Sequence, residues 1–181
     1  MKFYETTFDE YIYEVSNNNF HAKLNIYNKN DEILTPIKEL PHYIFYGPKG
    51  AGKYSQALHF IKDYSPSVLK YEKKMVLTTN KYEYIYKISD IHYEVDIQTM
   101  GCYSRQIWCD VFEQVKDIIL TKNIPQGFMV CKNFHDIQPE LLDIFYSFVQ
   151  RINILNINLV FILLTKDYTF IPEQIKNRFL G

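Results

Sequence analysis

Seven residues in one turn, Gly47, Pro48, Lys49, Gly50, Ala51, Gly52 and Lys53, fit the phosphate-binding pattern G-x-x-x-x-G-K. Its chemistry belongs mainly to the backbone. Glycines let successive N–H groups turn toward one anion, and a helix starting at the lysine adds its positive end. The Lys53 ammonium supplies a charge for the outer phosphates. The next position departs from the pattern, because Tyr54 stands where a Ser or Thr hydroxyl would ligate magnesium. Ser55 comes one residue late, about 100° further round the helix, where a ligand would miss the ion. Magnesium is therefore not expected as a ligand of this turn.

Phosphoryl transfer at such a loop also needs a carboxylate at the end of a neighbouring strand. The candidate strand, Gly127 to Cys131, is followed instead by Lys132, Asn133, Phe134 and His135. A lysine repels magnesium and an asparagine cannot take a proton. Asp136, the nearest acid, reads as a solvated loop residue. Efficient hydrolysis is not expected. If Lys132 projects toward the loop, its ammonium stands near the place where magnesium bridges outer phosphates. Two unit charges at about 4 Å and an effective dielectric near 20 interact by ~4 kcal/mol, so a lysine could take over part of the metal's attraction. The three arginines, Arg105, Arg151 and Arg178, are too few for the cationic clamp of a small-substrate kinase. The histidines show no metal-binding spacing, and none is assigned to catalysis.

These residues need a strand and a helix to hold them. His42 to Tyr46 is a short apolar run before the turn, and residues 53 to 63 carry Ala57, Leu58 and Ile61 on one helical face. Met75 to Ile97, rich in Tyr, Val, Ile and Thr, predicts a β-hairpin with Asn80-Lys81 at its tip and then a core strand from Tyr93 to Ile97. Ile107, Val111, Val115 and Ile118 mark the buried face of a helix from Ser104 to about Thr121. Pro139 to Ile152 reads as a further helix, Asn158 to Leu164 as a strand, and Pro172 opens a short final helix. An amphipathic helix over Thr7 to Val15, stopped by Asn17-Asn18-Asn19, precedes all of them. Strands separated by helices predict an α/β domain, one unit over residues 1–181, with a mostly parallel sheet covered on both faces and an inserted β-hairpin.

Composition agrees with one intracellular, soluble domain. A chain of 181 residues with 47% hydrophobic content can bury its own core, and a net charge of -1 gives no global field for nucleic acid. Cys102, Cys109 and Cys131 form neither a C-x-x-C pair nor an even set, against a disulfide framework or a zinc ribbon. The chain opens on Met1 to Glu5, turns acidic by Asp9-Glu10 and has no apolar core of signal-peptide length there, so a secretory signal is not expected. Its longest apolar run, Leu159 to Leu164, has a strand's length and cannot cross a membrane.

The stretch Leu40-Pro41-His42-Tyr43-Ile44-Phe45-Tyr46-Gly47-Pro48-Lys49-Gly50-Ala51-Gly52-Lys53 resembles the opening of a clamp-loader small subunit of the replication factor C type. Later blocks keep the family's order. Tyr93-Glu94-Val95-Asp96 is similar to the strand preceding the helix at Ser104. Leu159 to Thr165 resembles the sensor strand, and Ile171-Pro172 with Ile175-Lys176-Asn177-Arg178-Phe179 resembles the Ser-Arg-Cys box. Over residues 40 to 181 the resemblance implies a three-layer P-loop NTPase core of the AAA+ type, holding ATP or ADP. It makes Arg178 the arginine finger that reaches a neighbouring subunit's ATP, and Thr165 the polar sensor residue. A hydroxyl displaced by one position, as in Tyr54-Ser55, accompanies weak or absent hydrolysis in that family. The implied partners are other clamp-loader-like AAA+ subunits, with a sliding clamp as a further candidate, at a nuclear or other replication site. Weak DNA backbone contact falls to the helix start at Ser104 and Arg105. The helical lid and collar are expected to be missing. The family's fifth strand begins where this chain stops, so Tyr43 to Tyr46 is expected to lack one neighbour, leaving an edge for the N-terminal residues or a partner to cover. A different reading keeps the fold as an interaction module that has lost nucleotide altogether.

Overall fold

From Asn158 to Thr165 the chain reads NLVFILLT, and every residue after the first is buried. A continuous apolar run of this kind belongs at the centre of a parallel sheet covered on both faces. The computed structural model describes Tyr4, Glu5, Tyr13 and residues 34–180. The helix expected over Thr7 to Val15 lies outside the described residues apart from Tyr13, which is helical, and so does the triplet Asn17 to Asn19.

The strands are β1 (Tyr4–Glu5), β2 (His42–Tyr46), β3 (Tyr71–Thr78), β4 (Glu83–Ile88), β5 (His92–Asp96), β6 (Gln126–Lys132), β7 (Asn158–Thr165) and β8 (Phe179–Leu180). The α-helices among the described residues are α1 (Lys53–Lys62), α2 (Ser104–Leu120), α3 (Pro139–Arg151) and α4 (Glu173–Lys176). Strands β2 to β8 form one sheet, to which β1 adds at an edge, in the order β1-β3-β4-β5-β6-β7-β2-β8. Neighbours from β5 through β6, β7 and β2 to β8 run parallel, whereas β3 and β4 form the antiparallel hairpin beside β5.

Period-two alternation divides the core into two layers. Tyr43, Phe128, Val130, Val160 and Ile162 face α1, where they meet Ala57, Leu58, Phe60 and Ile61. Ile44, Met129, Cys131, Phe161 and Leu163 face the other side and pack with residues of α2 and α3. There Trp108, fully buried, lies 5.1 Å from the Phe145 ring. The result is a three-layer α/β domain with the hairpin attached. Strand β3 begins at Tyr71, earlier than its apolar residues indicate. Its first half is held by charge, with Glu72 3.1 Å from Lys87 on β4.

The free edge expected beside β2 is partly covered. Phe179 and Leu180 pair in parallel with His42 and Tyr43, while Tyr4 and Glu5 pair with β3 at the opposite edge of the sheet. Two residues suffice because Phe179 is anchored: its ring lies 5.0 Å from His42, which also meets Phe161 edge-on at 5.4 Å. The His42 Nδ1 accepts the Phe161 N–H at 3.2 Å, a bond that requires an unprotonated nitrogen. Burial, helped by the charge of Arg178, lowers the His42 pKa from 6.5 to about 4. The unfolded chain therefore takes up a proton first as pH falls, and folding loses stability between pH 6.5 and about 4. A shift of this size corresponds to about 3 kcal/mol. Denaturant unfolding at pH 7 and pH 4.5 is expected to show most of that loss in the wild type and much less in His42→Gln; equal losses would remove His42 from the account.

Candidate functional site

The glycine turn joins β2 to α1 at the carboxyl ends of the parallel strands. Gly50 and Gly52 have φ of 81° and 74°, in the left-handed region where only glycine is comfortable. Gly52 caps the ten-residue α1, so the helix points its free N–H groups at the turn. A cleft of about 450 Å³ opens there. Of the residues singled out from sequence, Lys49 through Ser55, Lys132 and Thr165 line it. Gly47 and Pro48 stand behind the lining, and their carbonyls each accept a 2.7 Å hydrogen bond from Lys53 Nζ. Desolvation lowers the Lys53 pKa. The Thr165 hydroxyl is buried and used locally, donating to the Asp167 carbonyl at 2.8 Å and accepting the Asp167 N–H at 3.1 Å.

Beneath the cleft lies a group that no motif in the sequence marks, the carboxylate of Glu94, only 3% exposed. Tyr54, held on the first turn of α1, donates its hydroxyl to Glu94 Oε1 at 2.5 Å. The fully buried His92 sets its Nε2 3.1 Å from the same oxygen and its Nδ1 2.5 Å from Ser89 Oγ. Lys132, from the end of β6, places its ammonium 3.7 Å from Glu94 Oε2 and 4.4 Å from the centre of the Tyr54 ring. Burial opposes ionisation of Glu94, but His92, Lys132 and Tyr54 together outweigh it and hold the carboxyl below its usual range. The available signal was one of period: His92, Glu94 and Asp96 alternate along one face of a strand whose other residues are apolar. Polar side chains at that spacing inside a buried strand must find partners from neighbouring elements.

The remaining candidates occupy three places. Asn133, with a left-handed φ of 52°, lines the cleft and donates its amide to Asp96 Oδ1 at 2.8 Å. Asp136 is exposed as expected, yet it also lines the cleft, 3.6 Å from His135 Nε2. Arg178 lies outside this cleft; it is exposed, with its guanidinium 5.7 Å from the centre of the Tyr146 ring on α3. At the start of α2 the Ser104 hydroxyl is buried and donates to Gln138 Oε1 at 3.1 Å, which leaves Arg105 as the exposed member of that pair.

No protein-family model matches the chain, and no curated protein matches it. No helix among the described residues is long and apolar enough to cross a membrane.

What the cleft can do follows from its donors. Left-handed glycines, a helix N-terminus and lysines at its floor and rim suit a chain of phosphates. The strand-end carboxylates near the cleft are poorly placed to activate water, because Glu94 is buried under Tyr54 and Asp96 is tied to Asn133; the acid that lines it, Asp136, comes from the turn beyond β6, beside His135.

Proposed function

We propose that this chain is a clamp-loader-like AAA+ subunit of DNA replication that holds ATP or ADP without efficient hydrolysis and lends Arg178 to a neighbouring subunit. One observation carries the reading. The phosphate-loop strand β2 is separated from β6, the strand that ends in Lys132, by β7, and β8 lies on its other side. That order sets the loop and Thr165, which the resemblance makes parts of one nucleotide site, beside Lys132 around a single cleft. The outward position of Arg178 supports the second half of the proposal, since a finger acting in trans must face away from its own cleft.

In the bound state, N–H groups of the loop and of the α1 N-terminus take the phosphate oxygens. Lys53 exchanges the carbonyls of Gly47 and Pro48 for the outer phosphates. The adenosine triphosphate then meets Lys132, not a carboxylate, at the end of β6, where an acid would orient an attacking water. Partners of this kind of subunit are other AAA+ chains and, through them, a sliding clamp; DNA contact is weak and limited to backbone phosphates near Arg105. A nucleotide-free interaction module is the second reading, favoured by one fact: the Lys53 ammonium is already satisfied by the loop's own carbonyls.

Phosphate release at saturating ATP tests the absence of hydrolysis. The purified chain is expected to turn over far more slowly than the ~1 per second at the low end of ordinary enzymes. A rate in that range, abolished by Lys53→Ala, would contradict the proposal.

A further inference from the structure

The phosphate-loop pattern in its usual form places a magnesium ion with the nucleotide, and the residues present do not fit one. The side chain at the metal-ligating position is Tyr54, whose hydroxyl is engaged by the buried Glu94. The strand end that should carry an acid carries Lys132, an ammonium lining the cleft. Asp96 accepts hydrogen bonds from the Asn133 side chain and the Gln98 N–H. Asp136, the acid that lines the cleft, belongs to the turn beyond the strand end and lies 3.6 Å from His135 Nε2.

We infer that the cleft takes its polyphosphate in the metal-free form, with the Lys132 ammonium standing in for the divalent cation and Tyr54 and Glu94 holding it in place. The inference rests on the nucleotide-binding reading above. Three geometric facts support it. Lys132 lies over the face of the Tyr54 ring at 4.4 Å, where the ring's electron density attracts a cation. At 3.7 Å from Glu94 Oε2 it is attracted without a hydrogen bond, so its N–H donors remain for phosphate oxygens. Glu94 is almost fully buried whereas the Lys132 side chain is 31% exposed, which puts the cation nearer the cleft than its counter-ion.

Selectivity has a simple electrostatic origin. Magnesium cancels part of the charge on ATP, and a chelated phosphate chain would also bring the metal toward Lys132. Free ATP, or inorganic tripolyphosphate, keeps its full charge for Lys53 and Lys132. The cleft should therefore bind unchelated polyphosphate more tightly than the magnesium complex, opposite to the usual behaviour of a site that ligates the metal.

Calorimetric titration of the full chain with ATP, once in EDTA and once in excess magnesium, tests this directly. The expected affinity is about fivefold or more higher in EDTA, and Lys132→Met is expected to lower it by about tenfold and erase the difference, as loss of one close charge in a partly screened site would. Electron paramagnetic resonance with manganese as the probe is expected to show no protein-bound ion in the presence of ATP. A tenfold gain in wild-type affinity on adding magnesium, or a bound manganese signal, would overturn the inference and leave nucleotide binding standing. A folded Lys132→Met chain with unchanged affinity and unchanged magnesium response would remove Lys132 from the site. No binding of ATP in either buffer would overturn the inference together with the reading on which it rests.

Discussion

Arg178→Ala is expected to leave this chain folded while lowering the ATPase rate of the subunit docked against it by about 10³-fold or more. Among the described residues the exposed guanidinium lies over Tyr146 and acts by charge on His42, so its removal costs about 1 kcal/mol or less in stability. Its charge acts elsewhere, on the developing negative charge at a neighbour's outer phosphate. The measurement is the steady-state ATPase of a purified complex of demonstrated 1:1 assembly, with wild-type and mutant chains compared. An unchanged rate would make Arg178 a surface residue and remove the trans-acting half of the proposed function.

Much of this architecture is legible locally. The turn Gly47 to Lys53, the apolar run Asn158 to Thr165 and the four-residue periodicity of α2 each declare themselves within a few residues, because backbone conformation and burial impose short repeats. What the sequence hides is non-local. Phe179 and Leu180 are too few to show strand alternation, and their pairing with β2 depends on His42 and Phe161, more distant in the chain. Glu94 is hidden for the same reason. The alternation of His92, Glu94 and Asp96 says that partners must exist, but not that α1 will lay Tyr54 on Glu94 and β6 will bring Lys132 beside it. Lys132 itself was legible, since it occupies a motif position where an acid belongs, but its partners were not.

Glu94→Ala is expected to be the most damaging single change to the fold near the cleft, with a loss of about 3 kcal/mol or more, the range seen when one partner of a buried charged pair is removed. The loss has named sources: the Tyr54 hydroxyl and His92 Nε2 would lose their acceptor, and Lys132 its counter-ion. Glu94→Gln keeps an oxygen for Tyr54 and is expected to cost less. Because the folded carboxyl ionises more readily than the ordinary value of 4.5, its contribution is full above that pH and is lost as pH falls through the lowered folded value. Urea unfolding at neutral pH gives both numbers. A loss under about 1 kcal/mol for Glu94→Ala, typical of an exposed pair, would mean that the network is not formed in solution.

The central claim is that the turn between β2 and α1 receives the phosphates of a nucleotide. It is tested most directly by following the backbone amide resonances of Gly50, Ala51, Gly52 and Lys53 in a ¹⁵N-labelled chain during titration with ATP in EDTA. The account predicts saturable shifts concentrated on those four amides and lost in Lys53→Ala. Loop amides that stay in place at millimolar ATP, in a chain whose remaining spectrum shows it folded, would contradict it.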